Sequence, residues 1–210
     1  MEAKIETSAG LPNVLQRILL SCGILAPLLY LGTDLLAGKL IKGYSFSVQS
    51  ISELGAAGSP TRPLVVALTL LESAFMIAFG VGVWMAAVNS ILPRIVAGLF
   101  IVHALAGLVA TLFFPNRYGV RPEFATPGVL IMALSVLCFT LAIVFGAVAY
   151  HGWMRLLSIA IPVAYVLLAT LRFATAASST AETVVLVGVQ ERTMAYSFLL
   201  WTIALAIYLL

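Results

Sequence analysis

Residues 92–114 read LPRIVAGLFIVHALAGLVATLFF, and this stretch decides the fold. Between Arg94 and Pro115 its one ionisable group is His103. A helix needs about 20 mostly apolar residues to cross the hydrocarbon of a bilayer. Five more stretches have the same character: Ile18–Leu40, Pro63–Val88, Thr126–Ala149, Trp153–Thr175 and Thr193–Leu210, the last being the shortest. Pro63 is well placed for the first turn of its helix. The expected fold is all-α, a polytopic bundle of six transmembrane helices.

Composition agrees. Of 210 residues, 62% are hydrophobic and 9% charged, with a mean hydropathy of +1.13. Soluble domains run near 45–50% apolar and about 25% charged. No polar linker divides the chain, so one integral membrane domain over 1–210 is expected. The expected location is the cell membrane, as a multi-pass protein. The first apolar run lacks a clean small-x-small cleavage site, and helix 1 is read as its own insertion signal. The net charge of +3 is spread over many loops. No run of Lys or Arg suggests a nucleic-acid partner or a polybasic lipid anchor. Membrane lipids, and other membrane subunits, are the partners this composition suits. Cys22 and Cys138 fall inside apolar segments and read as small buried hydrophobes.

An even number of crossings puts both termini on one side, here called side N. The loops after helices 2 and 4 lie on side N and are short. The loops after helices 1, 3 and 5 lie on the other side and are longer. Side N carries Lys4, Arg17, Arg94 and Arg155; the long-loop side carries Lys39, Lys42, Arg62, Arg117, Arg121, Arg172 and Arg192. That count favours cytoplasmic long loops. Short loops are the more usual cytoplasmic pattern, so orientation stays open. The pairs Ala78/Gly82, Ala106/Ala110 and Ala142/Gly146 have the small-xxx-small spacing that lets helix backbones approach. Pro27/Tyr30 and Pro162/Tyr165 repeat a Pro-x-x-Tyr in helices 1 and 5, a weak sign of duplication.

Charges inside a bilayer cost roughly 2.5–3.5 kcal/mol each at mid-depth, so each needs a partner or a function. Glu72 and His103 fall near the middle of helices 2 and 3, at similar depth. They are the candidate catalytic pair: His103 would give Glu72 a partner or exchange a proton with it. Asp34 and Arg172 fall near the long-loop ends of helices 1 and 5 and suggest an ion pair. All four would converge on one polar cavity opening toward the long loops. The same pairs would serve equally as helix locks.

The first long loop, Gly43–Arg62, has capping-box spacing at Ser50 and Glu53, so a short helix is expected there. Gly55, Gly58 and Pro60 would end it, leaving a half-buried cap over the bundle. Its serines have no His in the loop to activate them. In the loop after helix 3, Arg117 and Arg121 suit a lipid phosphate, with interfacial snorkelling as the plainer reading. Asp34, Arg172, Arg117 and Arg121 are thus the candidate substrate-binding residues. No metal-ligand spacing, P-loop, dinucleotide motif or haem motif is present, and no cofactor is expected.

Tyr44-Ser45, then Gln49-Ser-Ile-Ser-Glu-Leu-Gly55, and Phe114-Pro115 closing helix 3, resemble the prokaryotic membrane family filed as domain of unknown function 998. The resemblance covers nearly the whole chain, and its specific part is the Ser-Glu-Leu-Gly at 52–55. It implies a His within the first turns of helix 4. This chain has Gly128-Val-Leu-Ile-Met132 there instead, so any chemistry resting on that imidazole is missing. The resemblance implies no reaction. With so sparse a catalytic inventory, a non-catalytic accessory or scaffolding subunit of a membrane complex is the first expectation. The alternative is an intramembrane enzyme or carrier for a lipid or small apolar molecule, working through Glu72 and His103. The scaffold requires a small interior with both residues satisfied. The enzyme or carrier requires an open cavity that both residues face.

Overall fold

Hydrocarbon offers no hydrogen bonds, so each apolar stretch must satisfy its own backbone, and helices result. They are α1 Val14–Leu40, α2 Arg62–Ala86, α3 Ile91–Phe113, α4 Pro127–Ala149, α5 Gly152–Ser178 and α6 Val187–Leu209. The computed structural model describes residues 14–88, 90–120, 126–178 and 186–210, and over 168–178 it describes backbone alone. Helices α1, α2, α3, α4 and α6 are long and apolar enough to cross a membrane. In α5 the apolar part with described side chains, Gly152–Leu167, is shorter than a crossing. The chain is a multi-pass membrane protein.

Most helix limits fall within a few residues of those read from hydropathy. The exception is α6, which starts at Val187 rather than Thr193. Its first turns carry Gln190, Glu191 and Arg192, which hydropathy assigns to a loop. They are helical because Glu191 and Arg192 have partners inside the protein. Local signals set other ends. Thr126 Oγ1 accepts the Val129 N–H at 3.4 Å, with Pro127 behind it in the first turn of α4. Gly152, at φ +61°, takes the left-handed conformation that lets α5 start two residues after Tyr150.

Each helix packs on the next in sequence, and α6 returns to α1, closing a ring. The side-N half of this ring is solid. Phe79, Phe100, Phe198 and Trp201 fill it, with Phe79 edge-on to Phe100 at 4.9 Å and Phe100 stacked on Trp201 at 5.8 Å. Trp201 is fully buried and donates from Nε1 to Ser158 Oγ of α5 at 2.9 Å. Small residues make this density possible. A Cβ on Gly146 would sit 2.5 Å from the Trp201 ring, and one on Gly82 would meet the α1 backbone at Leu20 at 3.0 Å. The Ala78/Gly82 pair thus brings α2 onto α1, while Gly146 of the Ala142/Gly146 pair leaves room for the Trp201 ring of α6. At the side-N surface Tyr150 and Trp153 both pack edge-on against Tyr208, at 5.6 and 5.7 Å. Amphipathic rings of this kind collect at a membrane–water boundary.

The long-loop half is built differently. Residues 41–61 fold over the ring as a cap. Leu54, 1% exposed, anchors it beside Ala37 and Ile41, with Tyr44, Val65 and Tyr118 around them. The expected short helix is a single 3-10 turn, Ile51–Glu53. The cap also pairs with the α3–α4 loop. Ala57 N–H donates to Asn116 O at 2.7 Å, and Tyr118 N–H to Ala57 O at 3.0 Å.

Candidate functional site

Beneath the cap lies a cavity of about 480 Å³. Its walls come from α1, α2, α3, α4 and α6, and its roof from Ile51–Gly55 and Phe114–Asn116. The walls are mostly apolar, with Val65, Leu68, Val129, Met132, Met194 and Leu199 among them. The floor is aromatic. Phe139 of α4 meets Phe198 of α6 at 4.6 Å, and His103 of α3 lies edge-on to Phe198 at 4.9 Å. Below these rings begins the solid half of the bundle.

Glu72 and His103 both face the cavity, but no hydrogen bond joins them. His103 is held by α4 instead. Its Nδ1 lies 2.8 Å from Ser135 Oγ and 3.1 Å from Ser135 O, while Ser135 Oγ–H reaches His103 O at 3.3 Å. One proton on Nδ1 satisfies this whole set. It is shared between the two Ser135 oxygens, and the hydroxyl proton goes to His103 O. Nε2 is then left with a free lone pair. Glu72 has no hydrogen bond or ion pair among the described residues, although Ser73 beside it is buried. The sequence expectation gave Glu72 a partner in His103. In the structure the imidazole is committed to Ser135, a residue its neighbours do not mark as special.

Asp34 is paired with Arg192 of α6, not with Arg172 as the sequence suggested. Arg192 Nε donates to Oδ2 at 2.9 Å and Nη2 to Oδ1 at 2.7 Å, a bidentate contact in which both groups are buried. Tyr196 OH donates to Oδ2 at 2.5 Å. The rest of the guanidinium serves the cap: Nη1 donates to Phe46 O at 2.7 Å and Gln49 O at 3.1 Å, and Nη2 to Tyr44 OH at 2.8 Å. The Phe46 ring lies 4.9 Å from the guanidinium carbon. Burial pushes the Tyr44 phenol above its ordinary titration range, and the Arg192 hydrogen bond pulls it back. The sequence did hold a signal for this pair. Arg192 and Tyr196 are one turn apart, so a helix started earlier places both on the face that meets Asp34.

Glu191 does the work expected of Ser50. Its Oε2 accepts the Ile51 N–H at 2.7 Å, at the start of the 3-10 turn, where Ser50 makes no side-chain cap. Gln49 ties the turn internally, accepting from Ser45 N at 2.8 Å and donating to Glu53 Oε2 at 2.9 Å. Leu54 O accepts the Ser59 and Thr61 hydroxyls. Arg62 reaches Gly55 O at 2.5 Å and Thr111 O at 3.3 Å, tying the cap's end to α3.

Arg117 is exposed on the α3–α4 loop, and its residue pairs with Ala57 through the backbone alone. Arg121 falls outside the described residues, as does the side chain of Arg172.

A cap stapled by Gln49 and seated through Leu54, over a ring of apolar helices, is the setting in which the Gln49–Gly55 segment has its use. The family described as protein of unknown function (DUF998) matches residues 24–208. The chain belongs to the DUF998 family. The match takes in α1 from residue 24 onward, α2 to α5, α6 up to residue 208, the cap and all residues of the cavity. In this DUF998 protein the Gln49–Gly55 segment builds the roof of the cavity, with Ile51, Ser52, Leu54 and Gly55 lining it. No curated protein matches the chain, and no solved structure does.

Proposed function

We propose that this DUF998 protein binds a lipid or small apolar molecule in the capped cavity, as a carrier or an intramembrane enzyme. The observation that carries the reading is a cavity of about 480 Å³ faced by a carboxyl, Glu72, with no partner among the described residues. Ligand pockets run about 300–1,000 Å³, mostly apolar with a few placed polar groups. A residue serving only to lock helices would be satisfied by a neighbour, as Asp34 is by Arg192. An accessory subunit has no need of a hollow interior. If the site is catalytic, Glu72 and His103 Nε2 are its proton-handling groups and the bound molecule lies between cap and aromatic floor.

The same reading has all six helices crossing the cell membrane, α5 included. Impermeant thiol labels at cysteines placed on His151 and Leu186 then report opposite sides. Labelling from one side would remove α5 as a crossing.

Native mass spectrometry of gently extracted protein tests the cavity. A small molecule held one-to-one, and displaced by filling the cavity with Ala195→Phe and Ala133→Phe, is the expected result. An empty protein that instead retains a stoichiometric membrane subunit would restore the scaffold reading.

A further inference from the structure

The charge inside the cavity is one-sided, and this points to what it holds. Five ionisable residues line it: Tyr30, Asp34, Glu72, His103 and Glu191, and three of them are carboxyls. No described Lys or Arg does. Asp34 is neutralised by Arg192. Glu191 is occupied by the Ile51 N–H and sits next to Arg192. His103 has its Nδ1 bound to Ser135. Of the three carboxyls, Glu72 alone has no hydrogen bond or ion pair among the described residues, and His103 Nε2 is the other open group.

In apolar surroundings a carboxylate repels anions and attracts cations far more strongly than it does in water. The aromatic floor adds a second preference of the same sign, because ring faces attract cations. The simplest cations suit it poorly, since no described group of three or more His, Cys, Asp or Glu stands ready to ligate a metal. A metal ion would not need about 480 Å³, and it would want several oxygen ligands around it. A strongly polar solute would find too few partners on walls of Val65, Leu68, Val129, Met132 and Leu199. What fits is an apolar body with a single positive head.

We infer that the cavity binds a cationic amphiphile, an amine or quaternary ammonium on an apolar tail, with the head at Glu72 and the tail along the α2, α4 and α6 walls. The inference rests on the cavity being a binding site and adds the class of ligand.

The test uses three ten-carbon probes that differ in head charge: decyltrimethylammonium, decanol and decyl sulfate. Equilibrium binding is measured on the full chain in nanodiscs of zwitterionic lipid. The expected result is a preference of about ten-fold or more for the cation over both others. Glu72→Gln should remove the preference and leave decanol binding intact, and Glu72→Asp should keep most of it. Equal binding of cation and alcohol by the unaltered protein would overturn the inference while leaving the cavity reading in place. So would a cation preference that survives Glu72→Gln. Binding of none of the probes would overturn both. The comparison of head groups on the unaltered protein stands even if a Glu72 variant fails to fold.

Discussion

The two halves of this bundle are held together by different physics. On side N, rings and small residues interlock: Trp201 fills the space that Gly146 leaves, and Phe79 and Phe100 pack edge to face. On the long-loop side the helices surround a cavity, and polar bonds tie them to one another and to the cap. One guanidinium, Arg192, ties α6 to α1 and both to the cap. Membrane helices gain no hydrophobic free energy by touching one another, so contact must come from close packing or from hydrogen bonds. This protein uses each where the other is unavailable. A hollow site costs packing, and the Asp34–Arg192 clamp offsets that loss.

Removing the clamp is the strongest way to break the contrast. Arg192→Leu leaves Asp34 buried and unpaired, and should cost about 3–5 kcal/mol of stability. Thermal denaturation in detergent would report it. The double variant Asp34→Leu with Arg192→Leu should recover much of the loss, because no bare charge remains. A single Arg192→Leu variant as stable as the parent would show that the hollow half does not depend on the clamp. Next comes packing. Gly146→Ala drives a methyl into the Trp201 ring and should cost about 1–3 kcal/mol. Glu191→Ala frees the Ile51 N–H, at about 1 kcal/mol, and should speed amide exchange at residues 51–54 while leaving α3 and α4 unchanged.

Two smaller effects sharpen the comparison. Gly107 faces the hollow half, where a Cβ would find its nearest neighbour, Ser135 Oγ, at 3.9 Å. Gly107→Ala should therefore stabilise by about 0.5–1 kcal/mol through the helical backbone, opposite in sign to Gly146→Ala. Equal and adverse effects at the two glycines would mean that the halves are packed alike. Glu72→Gln removes no described contact and should change stability by less than about 0.5 kcal/mol. A large loss there would make Glu72 a helix lock.

Hydropathy made the helices legible, since a run such as 92–114 has few other outcomes in a membrane. Five long apolar crossings follow from it directly. The same signal misplaced the start of α6, because it treats Glu191 and Arg192 as costs wherever they occur. Their cost is met by Asp34 and Ile51, residues far away in the chain. Depth along each helix put Glu72 and His103 at one level, and both do face one cavity. Which residue each would bond was not legible. That depends on how α3 is rotated between α2 and α4, which hydropathy does not report, and the rotation gives His103 to Ser135 of α4. The cap illustrates the same limit. Capping-box spacing pointed to Ser50 as the start of a helical turn, while the side chain that caps it, Glu191, lies 140 positions from Ile51.

The clamp also sets an order of assembly. Asp34 lies in α1 and Arg192 in α6, 158 residues apart. At about 5–20 residues per second, a ribosome takes on the order of ten seconds or more to make that interval. Through that time Asp34 has no guanidinium beside it, and the cap lacks its bonds to Arg192. A nascent chain that stops short of Arg192 keeps that acid uncovered for good, and so bears a mark of its own incompleteness.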